Sequence, residues 1–374
     1  MIERANEYVD TLLSRIAPDG VRLALGRKRQ GAVSRGERPD YLPICFGVAA
    51  QGRDKFPKYN MREEFYNPPI MLLNQLWGVL SIHESCSDSQ PSVRPNLGTG
   101  FVPTLFGLKQ EIFEDKMPWL KQHLSKEQIG KFRIPDDVSG LGLMLHARKC
   151  LDYFKTKQDG KFAIYLADTQ GPFDVAHLVR GDDLFTDLVD DPPFVHHLMT
   201  LCTEMYIRAT RLMKEWIGEP MESSFHGNNL YMARGGVRCC EDTTTLLSPR
   251  HIDEFVAPYL EKALAAFGGG WVHYCGNNAY LLETLIEGIP YAHGINFGNA
   301  ERHDLTQILP RLVAKGKFYF GGWPRKNGES TEAYFKRIIA PIKSARKGVI
   351  FAGPGAKSRA EAEDILRLWH AVQE

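Results

Sequence analysis

From Asp190 to the C-terminus the chain alternates helix-like and strand-like segments with a period of roughly 25 to 40 residues, and few folds accommodate that rhythm. Val195 to Trp216 predicts a long helix and Gly236 to Cys240 a short strand. Ser248-Pro249 opens a second helix, with serine as N-cap and proline at the first helical position, and Ile252 to Phe267 forms its body. Strands follow at Trp271 to Cys275, Ala292 to Phe297, Lys317 to Gly322 and Gly348 to Ala352. Between and after them lie helices at Ala279 to Glu287, from near Asp304, at Thr331 to Lys343, and at Ser358 to Val372 behind a Ser358 cap.

Upstream, Tyr41 to Ala50, Ser92 to Leu97 and Phe162 to Asp168 read as strands, which brings the count to eight. Eight strands with intervening helices predict an α/β chain folded as a (β/α)8 TIM barrel with N-terminal helical and loop elaborations. The irregular stretch Gln51 to Pro91 and the Pro/Gly-rich Pro95 to Pro103 fall among the elaborations. No Gly/Ser-rich or Pro-rich linker separates two cores, so residues 1–374 are expected to form one domain. With 43% hydrophobic residues, it can bury a sizeable core.

The 46 basic and 45 acidic residues leave a net charge of +1 without a long basic block, which argues against nucleic acid as a partner. No apolar run reaches the roughly 18 to 20 residues that span a bilayer, and the charged start Met1 to Glu7 is no signal-peptide core. A cytoplasmic protein with no membrane partner is expected. Its seven scattered cysteines are then reduced thiols.

In such a barrel the active site lies where the strands end. Trp271-Val-His-Tyr-Cys-Gly276 places His273 and Cys275 at the same parity on one strand, with Gly276 free to turn the chain. Imidazole and thiolate together are a zinc-type donor pair, and the alternative is a packed histidine beside a buried thiol. One strand earlier, Cys239-Cys-Glu-Asp242 offers Glu241 or Asp242 as ligand or general base, against a capping role for Asp242. Asp168, Asn296 and Trp323 occupy equivalent strand-end places. In Phe225 to Gly236, Asn228, Tyr231 and Arg234 are candidates for binding substrate polar groups, or residues that order a long loop.

An ordered series carries a family resemblance. Asp168-Thr-Gln-Gly-Pro-Phe-Asp174, Asp187 to Pro192, Glu241-Asp-Thr243 with Leu247-Ser-Pro249 and Phe255 to Tyr259, His273-Tyr-Cys-Gly-Asn277 and Gly321-Gly322 together resemble the uroporphyrinogen decarboxylase superfamily. The match covers residues 92–374, leaving 1–91 as N-terminal extension and first strand. The resemblance implies a (β/α)8 barrel and one of two activities. The decarboxylases of the family use no metal and hold substrate carboxylates on an arginine-rich N-terminal motif, for which Gln51 to Pro57 and Asn60 to Glu64 are no match. The zinc-dependent methyltransferases use an H-x-C pair, as at His273 and Cys275, plus a later cysteine in a Pro-Gly-Cys context.

That last position here is Ala356. The resemblance implies His273 and Cys275 as metal ligands; alanine cannot ligate, so Glu241, a carboxylate on the adjacent strand end, is the expected third, with Cys239, Cys240, Asp242 and His303 in reserve, and Glu241 or Asp242 is the catalytic acid or ligand. The implied activity is metal-dependent transfer of a methyl group between a small methylated substrate or thiol and a corrinoid carried by a partner protein. Zinc is the expected metal, and a homodimer is left open. One alternative is a cofactor-free decarboxylase with Arg53, Arg62, Arg94, Arg234 and Arg325 at its mouth. The other is a ligand-binding barrel without catalysis.

Overall fold

The computed structural model describes residues 4–227 and 229–374. Eight short parallel strands appear in the expected places: β1 (Ile44–Cys45), β2 (Ser92–Val93), β3 (Ala163–Ile164), β4 (Val237–Cys240), β5 (Gly270–Tyr274), β6 (Ala292–Phe297), β7 (Phe318–Gly321) and β8 (Val349–Ala352). Ladder pairing is continuous through six of them in the order β1-β8-β7-β6-β5-β4, and β2 pairs separately with β3. This parallel α/β arrangement is compatible with the (β/α)8 barrel expected from the sequence, but the ladders do not close it into one ring among the described residues. Single hydrogen bonds approach the two gaps, Asp88 N–H to the Ile44 carbonyl at 3.0 Å and Gly171 N–H to the Cys240 carbonyl at 2.7 Å.

Helices cover the strands, and two of the N-terminal ones are α1 (Ala5–Ser14) and α2 (Gly20–Ser34). Within the stretch expected to be irregular lies a third, α3 (Pro68–His83), 16 residues long. Its sequence is apolar on nearly every side, so most of it is buried and it shows no amphipathic period to read. The helix α4 (Pro172–Arg180) follows β3, and α5 (Pro192–Ile217), 26 residues long, starts on two prolines and stops at Gly218 with φ +81°.

The Ser248 cap forms as expected, accepting from His251 N–H. Its helix body is not uniform: Ile252–Val256 is a π turn before the α segment Ala257–Ala265. Pro258 has no N–H to return to the Glu254 carbonyl, which removes one α hydrogen bond where the register widens. No helix is long and apolar enough to cross a membrane among the described residues.

Which side chains face the strand interior follows from the alternation of the pleat. On β4, Cys239 Sγ donates to Tyr206 Oη of α5 at 3.4 Å, so Cys239 faces the helices. Arg238, Cys240 and Asp242 therefore lie on the opposite face. On β5 the same face carries Trp271, which packs edge-on to Phe320 of β7 with ring centroids 5.8 Å apart. His273 and Cys275 share its parity.

Candidate metal centre

The interior face at the carboxyl ends of β4, β5 and β6 gathers His273, Cys275, Asp242 and Asn296 with Cys240, which the sequence offered as a reserve ligand. Asn296 sets the geometry. Its amide nitrogen donates to the Phe320 carbonyl at 2.6 Å, which turns its oxygen toward β5. That oxygen accepts from His273 Nδ1–H at 2.5 Å. With the proton on Nδ1, the Nε2 lone pair points outward as a ligand.

Three donor atoms, from Cys240, Asp242 and His273, lie within 4.8 Å of one another. His273 Nε2 is 3.8 Å from Asp242 Oδ1, two acceptors facing one space. Cys275 Sγ stands 3.5 Å from the same nitrogen. Asp242 Oδ1 also accepts from Cys275 N–H at 2.6 Å, and Gly276, at φ +101°, turns the chain immediately afterwards. The donor chemistry, imidazole, carboxylate and thiols, fits a zinc ion.

Protonation favours ligation by the histidine and disfavours free thiolates. Burial, reinforced by Arg238, lowers the His273 pKa, so the ring is neutral. Burial raises the Cys240 thiol well above its ordinary range, against the pull of Arg238. Burial and then Asp242 raise Cys275. A bound cation would be needed to ionise either thiol at neutral pH.

The structure does not bring Glu241 into this group. It faces the helices with Cys239, is fully buried, and its Oε2 accepts from Asp174 N–H of α4 at 3.4 Å. A Cβ built on Gly171 would lie 2.2 Å from Glu241 Oε1, so the carboxyl group packs tightly at the start of α4. Asp174 reciprocates by accepting from Asp242 N–H at 2.9 Å and Thr243 N–H at 2.8 Å. Burial raises both carboxyl pKa values, Asp174 to about 7 with the charge of Asp242 adding to it, and Glu241 with the charge of Asp174 adding to it. The pair anchors the loop that carries Asp242.

Among the other anticipated residues, Asp168 lies in the interior between two arginines, 3.4 Å from Arg94 Nη1 and 3.4 Å from Arg238 Nη1. Trp323 packs against Tyr319 at 4.3 Å, on the helix side of β7, and its indole N–H reaches the His303 carbonyl at 3.4 Å. His303 stacks on Phe297 at 3.9 Å, also behind the strands. Tyr231 and Arg234 precede β4 and so belong to the amino ends, where Tyr231 N–H donates to Gln30 of α2 at 2.6 Å. Asn228 lies outside the described residues. Sequence reasoning passed over Arg238 and Trp271, although each shares the parity of a chosen neighbour, Cys240 and His273.

Beside Asp242 opens a cavity of about 440 Å³ bordered by Trp119, His123, Gln170 and His177. Its size suits a small organic ligand.

Among solved structures the chain is similar to a methyltransferase from Methanosarcina mazei, with a TM-score of 0.64 and 14% sequence identity over 93% of this chain and 98% of that one. No protein-family model matches the chain. No curated protein sequence matches it either. At this identity the likeness is one of fold.

Proposed function

We propose that the protein is a metal-dependent methyltransferase of the uroporphyrinogen decarboxylase superfamily. It moves a methyl group between a small methylated substrate or thiol and a corrinoid held by a partner protein. The observation that carries this reading is the fixed tautomer of His273, whose free Nε2 looks into a space shared with Asp242, Cys240 and Cys275. The fold likeness to a protein described as a methyltransferase supports it.

On this reading His273, Cys240 and Asp242 hold zinc. Cys240 then supplies, from β4, the second thiolate that the family resemblance expects near position 356, where this chain has Ala356. Bound zinc supplies Lewis-acid chemistry, polarising a departing heteroatom or ionising a thiol. Asn296 keeps the imidazole oriented, and the Asp174 and Glu241 pair holds the Asp242 loop in place. Cys275, at the exposed edge, either completes the donor set or leaves that position to substrate. The cavity beside Asp242 receives the small substrate.

Metal analysis of the untagged protein tests the reading. About one zinc per chain is expected, lost in His273→Ala, Cys240→Ala and Asp242→Ala and retained in Glu241→Ala. A protein that stays metal-free in excess zinc would sink it. The second reading, a cofactor-free decarboxylase, draws on Arg94 and Arg238 around Asp168 and needs no zinc, so the same measurement separates the two.

A further inference from the structure

We infer that the cavity of about 440 Å³ beside Asp242 binds a protonated amine, so that the small methylated substrate is an N-methyl amine taken as its ammonium ion. The methyl group in that assignment rests on the methyltransferase reading; recognition of the ammonium does not.

A free buried acceptor is the first observation. Gln170 borders the cavity and is only 5% exposed. Its amide nitrogen donates to Asp168 Oδ1 at 2.8 Å. Burial pushes the Asp168 pKa up, but Arg94 and Arg238 outweigh it, so this carboxylate stays ionised and can only accept. The amide is thereby fixed with its oxygen the other way, and Gln170 Oε1 has no donor among the described residues. A buried acceptor in this state calls for an N–H or O–H.

The neighbouring groups do not supply one. His177 Nε2–H donates to Asp182 Oδ1 at 3.0 Å, and its Nδ1 accepts from the Thr243 hydroxyl at 3.4 Å. His123 Nδ1–H donates to the Leu178 carbonyl at 3.0 Å, which leaves Nε2 of the neutral ring as a second acceptor. Both oxygens of Asp174 are already taken by the N–H groups of Asp242 and Thr243.

Charge and the wall complete the case. Asp182 and Asp242 border the cavity, and no lysine or arginine does, so an anion would find no countercharge. Trp119, 58% exposed on the short strand Trp119–Leu120, makes no ring or cation contact among the described residues. An indole face is the best side-chain partner for a cation, and an ammonium N–H makes a stronger bond to an acceptor than a neutral donor does. Leu120 and Leu178 line the rest, and the volume admits a carbon skeleton beyond the N-methyl group. Asp242 borders both this cavity and the metal centre, so an amine held here stands at the site itself.

Calorimetric titration of the full-length protein near neutral pH tests this with three probes, zinc content being measured on the same samples. N,N-dimethylbenzylamine is protonated there and carries an N–H, benzyltrimethylammonium is charged without one, and benzyl methyl ether is neutral. The dimethylammonium should bind about tenfold tighter than the ether, and tighter than the quaternary ion. Trp119→Leu should weaken both cations about threefold and spare the ether. Gln170→Met should weaken the dimethylammonium alone, about tenfold, a selectivity that damage to the fold does not produce. Equal binding of dimethylammonium and ether, a quaternary ion that binds as tightly, no saturable binding of the amine, or unchanged affinities in both variants would overturn the inference. Zinc bound without any preference for the amine sinks the inference and spares the metal reading; a preference for the amine in protein that takes up no zinc does the reverse.

Discussion

His273 and Asn296 form a cross-strand pair in which the imidazole Nδ1–H donates to the amide oxygen at 2.5 Å, and Asn296 is itself held by the Phe320 carbonyl at 2.6 Å. Removing the second member should leave the first free to change tautomer and to rotate. Asn296→Ala is expected to weaken zinc binding by about 10- to 100-fold, read by competition with a chromophoric chelator. An unchanged affinity would mean that the histidine is oriented by something else.

Glu241 and Asp242 are neighbours in sequence with opposite assignments. Asp242→Ala should abolish zinc binding while leaving most of the stability. Glu241→Ala should lower unfolding free energy by about 2 to 4 kcal/mol, through a lost helix cap and a buried cavity, with zinc content intact. Gly171→Ala should mimic that loss, since its new methyl group would collide with Glu241 Oε1. Denaturant titration beside metal analysis distinguishes the two classes.

Cys275 is the one exposed cysteine among the described residues. In metal-free protein it should be the first thiol alkylated, slowly at neutral pH because burial and Asp242 raise its pKa, and faster above pH 9. Zinc should protect it if it joins the donor set. Mass spectrometry of peptides after limited alkylation reads both the site and the protection.

Lys317 provides a pH dependence away from the site. Its ammonium donates to the carbonyls of Leu285 at 2.5 Å and Ile289 at 2.8 Å, and burial lowers its pKa from 10.5 to about 8. Between those values the unfolded chain binds a proton that the folded chain does not, so this group favours folding increasingly as pH rises from about 8 to 10.5. The stability of wild type relative to Lys317→Met should therefore climb across that window. A flat or falling difference in chemical denaturation would refute the assignment.

Much of the later strand framework is legible because Trp271-Val-His-Tyr274, Phe318-Tyr-Phe320 and Val349-Ile-Phe351 are short runs rich in β-branched and aromatic residues that soon meet glycine. The H-x-C pair is legible because two residues on one strand share a face whatever the rest of the chain does. The third donor is not, since a one-residue shift of β4 exchanges Cys239 for Cys240, and only the bond from Cys239 to Tyr206 fixes the register. Glu241 looked like a ligand because its partner Asp174 lies far away in sequence, where no local pattern announces a buried carboxyl pair. The helix α3 escaped for the opposite reason, being apolar on almost every side.

The rim of the interior is laced across strands: Asp242 accepts from Cys275 N–H, Gly276 N–H donates to Asn299 Oδ1 at 2.9 Å, and the His273 to Asn296 to Phe320 chain spans β5, β6 and β7. None of these bonds needs an ion to form. The donor atoms are thus ordered before anything arrives, and the entropy of arranging them is charged to folding instead of to association. A cation should enter and leave this protein without a folding transition, as a guest in a finished room.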